Sequence, residues 1–144
     1  MERTFVLTDL PSDEGFLVTG RIRRCRGCAR CISTDMGRCS IEDDLSPALE
    51  EALMCDTIEI HTGIADSQFA MPMRKAVERL ANILQSFTDA GHNTPLEKDS
   101  VCLRRIRIIA RGSVDGAFQS YANDLLLKGP VERVDFEFRY VNSG

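Results

Sequence analysis

The chain has 144 residues, 43% of them hydrophobic, and a formal net charge of −4. That length fits a single domain with a real core, and the acidic balance excludes bulk affinity for nucleic acid. No uninterrupted apolar run is long enough to cross a membrane as a helix.

The opening stretch "MERTFVLTDLPSDE" has an acid directly after its first residue and turns polar after Leu10. A secretory signal has neither feature, so the expected compartment is the cytoplasm. One domain is expected over 1–144, with a strand pair in 1–23, a cysteine loop in 24–44 and alternating helices and strands in 45–144. "RTFVLTDL" (3–10) reads as a strand, and "FLVTGRIR" (16–23) as a second. The link between them, "PSDEG", is too short for a helical crossover, so an antiparallel hairpin is expected.

After the cysteine segment, "DDLSPALEEALMC" reads as a helix capped by Asp44 or Ser46, with Pro47 in its first turn. "DTIEIHT" is a short strand. "MPMRKAVERLANILQSFTDAG" is a helix with Pro72 near its start, Gly91 past its end and an apolar stripe of Met73, Val77, Leu80, Leu84 and Phe87. "HNTPLEKDS" is a loop, "LRRIRIIA" a strand, "GAFQSYANDLLLKG" a helix and "RVDFEFRYV" a closing strand. Alternation of this kind predicts an α/β sheet of parallel strands joined by right-handed crossovers.

Strands buried on both faces read as continuous apolar runs. These do not. Ile58 and Ile60 alternate with Thr57, Glu59 and His61; Ile106, Ile108 and Ala110 with Arg105, Arg107, Ile109 and Arg111; Val134, Phe136, Phe138 and Tyr140 with Arg133, Asp135, Glu137 and Arg139. One face is apolar and the other mostly charged. The three helices are therefore expected on the same face, in two layers rather than three.

Four of the six cysteines fall in "RCRGCARCISTDMGRC", residues 24–39, spaced C-x2-C-x2-C-x7-C at Cys25, Cys28, Cys31 and Cys39. In a reducing compartment, clustered cysteines point to metal or redox chemistry more than to disulfides. Four thiolates suit an iron–sulfur cluster, and the same four can hold zinc tetrahedrally. Zinc sites more often use paired knuckles across a longer loop, and reduced structural cysteines are the plain alternative. Arg21, Arg23, Arg24, Arg26 and Arg30 surround the segment. Their charge favours thiolates, although a solvated basic patch explains them as well. Cys55 and Cys102 are isolated among apolar residues and read as small buried hydrophobes. Asp43 and Asp44 read as helix-start residues, and His61 and His92 as ordinary surface residues.

The run "CRGCARCISTDMGRCSIEDDLSPALEEALMCDTIEIHTG" resembles the flavodoxin-like NAD(P)H-dependent FMN reductases, and among them the iron–sulfur flavoproteins. The resemblance is carried by Cys25, Gly27, Cys28, Cys31, Cys39, Ile41, Asp43, Asp44 and Asp56, and more loosely by Arg74, Glu78 and Arg79. It implies a flavodoxin-like, mostly parallel sheet and an oxidoreductase role. It also implies a cluster on Cys25, Cys28, Cys31 and Cys39, and a homodimer served by a redox partner protein.

Departures from the family pattern are equally specific. This chain lacks the phosphate-binding loop and first helix that follow the family's first strand, and the helix after its last. Gly63 and Ala65 stand where the family has a Pro and a Tyr beside the flavin ring. The resemblance implies that FMN would lie against Gly63, Ile64 and Ala65; in place of the missing phosphate loop, the remaining candidates for its phosphate are the five arginines and residues 112–116, "GSVDG", with Gly112 and Ser113 foremost, before the third helix. FMN binding by one chain alone is not expected; a second subunit would supply the phosphate contacts. The expected function is thus a flavin-reductase-like redox role. The alternative is a non-enzymatic, flavin-less binding or regulatory module, and a zinc-stabilised interaction domain is a third reading.

Overall fold

The structure is a computed structural model, and it describes residues 3–9, 15–19, 45–90, 102–111 and 114–138. In chain order the elements are β1 (Thr4–Thr8), β2 (Phe16–Leu17), α1 (Leu45–Leu53), β3 (Thr57–Ala65), β4 (Gln68–Phe69), α2 (Met73–Ala90), β5 (Arg105–Arg111), α3 (Gly116–Leu126) and β6 (Arg133–Phe138).

The sheet runs β2-β1-β3-β5-β6, with every pair along that path parallel; β4 pairs antiparallel with the end of β3. The steps β2–α1–β3, β3–α2–β5 and β5–α3–β6 all advance in the same direction across this order. Right-handed crossovers then place all three helices on one face. The core agrees: Leu49 of α1, Leu80 of α2 and Phe118 of α3 share one buried cluster with Ile60, Ile106 and Ile108. The described residues thus form a two-layer, flavodoxin-like α/β fold, with helices over the apolar strand face.

Local sequence explains most elements. In α2, Met73, Val77, Leu80 and Leu84 recur at helical spacing and are fully buried. Asp115 caps α3, its Oδ1 accepting the N–H of Phe118 at 2.8 Å. In β5, buried Ile106, Ile108 and Ala110 alternate with half-buried neighbours, as a sheet with one covered face requires.

The expected hairpin of β1 and β2 is corrected. β2 spans only Phe16–Leu17 and lies parallel to β1, with Leu7 opposite Phe16 and Thr8 opposite Leu17. A parallel partner normally needs a long crossover because the chain must return the full length of the strand. Here β2 begins level with the end of β1, so the chain steps back by only two positions. Gly15 permits that step. Its φ is +134°, and a Cβ there would stand 2.7 Å from Val6 Cγ1 and 2.8 Å from Val6 O.

A second difference concerns β3, which continues past Thr62 to Ala65 and turns into a tight hairpin with β4. The two turn residues, Asp66 and Ser67, have φ of 54° and 58°, the left-handed pair that a two-residue hairpin demands. The Ser67 hydroxyl donates to Asp115 Oδ2 at 3.1 Å, tying the hairpin tip to the start of α3.

Candidate functional site at the carboxyl edge of the sheet

Ligands of open parallel sheets bind beyond the carboxyl ends of the strands, where the strand order reverses. In this sheet the reversal lies between β1 and β3, and a polar cluster fills it. Asp9, just past β1, is placed by its N–H donating to His61 O at 3.2 Å. Its Oδ2 accepts the Thr62 hydroxyl at 2.8 Å and the Gly63 N–H at 3.3 Å. Its Oδ1 pairs with Arg111 Nη2 at the end of β5. The Asp9 side chain is 8% exposed and that of Arg111 18%. The pair therefore links β1 to β5 directly over the end of β3, largely out of water. Arg111 Nη1 is buried and has no partner among the described residues, so it can take one more acceptor.

The expected flavin-ring residues sit beside this cluster, and their backbone is already engaged. The Gly63 N–H is on Asp9, and Gly63 O accepts from Ala70 N at 3.1 Å. Ile64 and Ala65 pair with Phe69 and Gln68. At the start of α3 the capping carboxylate of Asp115 holds the place that an incoming phosphate would take. A flavin phosphate needs converging, unengaged N–H groups or an open helix N-terminus. The described residues at this edge do not fit it. Gly112 and Ser113 lie outside the described residues.

Cys25, Cys28, Cys31, Cys39 and the five arginines also lie outside the described residues, as do Asp43, Asp44 and His92. Among the described residues, no group of three or more His, Cys, Asp or Glu is placed to hold a metal ion. None of the helices described is long and apolar enough to cross a membrane.

Other residues singled out by the family resemblance have local partners. Asp56 Oδ2 accepts the N–H of Arg3 at 2.8 Å, at the opposite edge of the sheet. Arg74 Nε donates to Phe69 O at 2.9 Å, and Arg79 is buried in α2. His61 is not an ordinary surface residue: its side chain is 14% exposed, and Nε2 lies 2.7 Å from Glu59 Oε1.

Asp9, Thr62, Arg111 and Asp115 were not legible as site residues in the sequence. One signal was available for two of them. Asp9 and Arg111 are charged residues at the carboxyl ends of apolar strands, and in a parallel sheet those ends meet at one edge.

No family model matches the chain, and no curated protein is similar to it in sequence. What the structure defines is a class, an α/β protein with a flavodoxin-like parallel sheet, helices on one face and a largely buried Asp–Arg pair at the strand-order reversal.

Proposed function

We propose that the protein is a flavin-reductase-like redox protein that transfers electrons through an iron–sulfur cluster held by Cys25, Cys28, Cys31 and Cys39. One observation carries this reading: both described ends of the cysteine segment lead to the carboxyl edge of the sheet. β2 overlaps the end of β1, so the chain leaves it at that edge. α1 ends at the opposite edge, where Leu53 O accepts from Cys102 N and Leu103 N ahead of β5. Its nine residues span about 13 Å, which returns Leu45 toward the carboxyl edge. The described residues that flank the cysteine segment, Thr19 and Leu45, therefore both lie toward the edge that holds the strand-order reversal. Four thiolates suit an iron–sulfur centre, which supplies one-electron transfer when bound. A homodimer and a redox partner protein belong to the same reading, and any FMN would be shared between subunits.

Iron, acid-labile sulfide, zinc and flavin analysis of protein purified without oxygen tests it. The reading expects about four irons and matching sulfide per chain. Stoichiometric zinc without sulfide would replace it with a zinc-stabilised domain. Absence of iron, sulfide and flavin would overturn the redox role.

The Asp9–Arg111 pair favours a second reading, a flavin-less binding or regulatory module. It sets a largely buried ion pair at the strand-order reversal, where a flavin would otherwise lie. Tight FMN binding by the isolated protein would remove this alternative.

A further inference from the structure

β1 has one edge that its neighbours leave half open. Backbone groups along a paired strand address its two sides alternately. Arg3 O accepts Asp56 N–H at 2.9 Å and Thr57 N–H at 3.2 Å, and Asp9 N–H donates to His61 O, so the odd-numbered residues address β3. Thr8 addresses the other side, where its O accepts Val18 N–H at 2.7 Å. By alternation Thr4 and Val6 face that side too. β2, however, is only Phe16–Leu17 and pairs with Leu7 and Thr8 alone. The N–H and O of Thr4 and the N–H of Val6 therefore open on a lane that no described strand fills, and they have no hydrogen-bond partner among the described residues.

The lane is the floor of a groove. Phe5 and Phe16 stand on its sheet side, both half-buried and packed against the core. Pro47, Ala48 and Glu51, on one face of α1, form its roof. The groove is open and holds about 600 Å³, a size typical of sites that take a bound molecule. Its walls are mostly apolar. Its rim carries the exposed carboxylate of Glu51, which has no ion pair among the described residues. Sheet edges are normally blunted by Pro, Lys or a bulge, and Thr4, Phe5 and Val6 supply none of these. An unfilled edge beside an apolar groove under a helix suits an extended chain. A second copy added edge to edge about a two-fold axis would set the exposed Glu50 and Glu51 of two α1 helices side by side. The rim charge thus favours a basic partner over a self-pair.

We propose that the groove between β1 and α1 binds an extended basic peptide segment of a partner protein, which adds to the sheet as a strand beside Thr4 and Val6. Its backbone supplies the hydrogen bonds that those two residues lack. Alternate side chains of the added strand point to the helix face. One of them, apolar, fills the space between Phe16 and Ala48. The next on the same face, a Lys or Arg, reaches Glu51. The recognised pattern is an apolar and a basic residue two positions apart, about 6.6 Å along the strand. The site lies on the outer edge of β1 and does not rest on the redox reading.

The test pans displayed random peptides on the folded, full-length chain and measures the selected peptides, fluorescently labelled, by anisotropy. Expected are peptides that share the apolar-x-Lys/Arg pattern and slow hydrogen exchange at the Thr4 and Val6 amides when bound. N-methylation of alternate peptide amides weakens them by about tenfold, and of the intervening amides hardly at all. Glu51→Lys, an exposed change, turns the selected pattern from basic to acidic. Peptides that bind Glu51→Lys as tightly as the parent, or that leave Thr4 and Val6 exchanging at their free rate, would overturn the proposal. So would a failure to select any peptide, and so would a concentration-dependent dimer in sedimentation whose formation itself protects Thr4 and Val6, which would assign the edge to a second copy.

Discussion

The two faces of the sheet are built from alternate residues of the same strands, and they solve burial in opposite ways. On the helix side, Ile58, Ile60, Ile106 and Ile108 have no exposed surface and pack under α1, α2 and α3. On the other side most of the described charges take a partner from their own or a neighbouring strand, and Arg111 reaches across β3 to Asp9. Arg107 reaches Glu59 on β3, at 3.5 Å, and Glu137 on β6; Arg105 and Arg133 both hold Asp135; His61 holds Glu59. Dry packing supplies stability on the first face. The second is held by cross-strand pairing. A single charge on the helix face would be stranded, whereas a single leucine on the charged face would merely interrupt a ladder.

Neighbouring isoleucines of β5 put this contrast to its severest test. Ile108 is fully buried and Ile109 half-exposed among charges. Ile108→Ala is expected to cost about 4 kcal/mol, and Ile109→Ala only about 1 kcal/mol, because the cavity term applies to the closed face alone. Urea unfolding midpoints at unchanged slope measure both. Equal losses would erase the distinction between the faces.

Next in size is Asp9→Asn, at the edge where the two faces end. The amide keeps a hydrogen-bond acceptor for Thr62 but leaves the Arg111 guanidinium largely buried without its counter-charge. The expected cost is about 3 kcal/mol, with partial recovery in Asp9→Asn combined with Arg111→Met. An Asn variant as stable as the parent would mean that water, not Asp9, satisfies Arg111.

Gly15→Ala sharpens the picture at the sheet margin. The added methyl meets both the side chain and the carbonyl of Val6, at a φ that L residues rarely adopt, and about 2 kcal/mol of strain is expected. Trimming Val6 to Ala relieves only the side-chain part, so a full rescue would contradict the parallel register of β2.

What was legible in the sequence follows the same division. The alternation in β3, β5 and β6 announced one covered face, and the i, i+3, i+4 stripe of α2 announced a helix; both signals are local, and both appear in the fold. The direction of β2 was not legible, since link length alone favours a hairpin and only the register against Leu7 shows how short the return is. The Asp9–Arg111 pair spans 102 positions and arises only once β1 and β5 both flank β3. Such contacts leave no trace in periodicity, because they depend on which strand ends share an edge.

The smallest expected effect lies on the charged face, at Asp135. Burial alone would raise its pKa, but hydrogen bonds from Arg105 and Arg133, and their charges, hold it below the ordinary carboxylate value. The folded state then binds its proton less readily than the unfolded chain does. The pairing therefore stabilises the fold fully above the unfolded value, near pH 3.9, and this contribution is lost as pH falls through the folded value. Asp135→Asn removes the contribution at neutral pH and makes the acid limb of the stability curve shallower below about pH 4. With Arg133 69% and Arg105 40% exposed, solvent screening keeps the neutral-pH loss under about 1 kcal/mol. Added salt narrows the difference further between parent and variant. A loss at Asp135 as large as that at Ile108 would mean that the charged face is desolvated, by a second subunit or by a partner, and the pH and salt profiles would then separate a covered ladder from an open one.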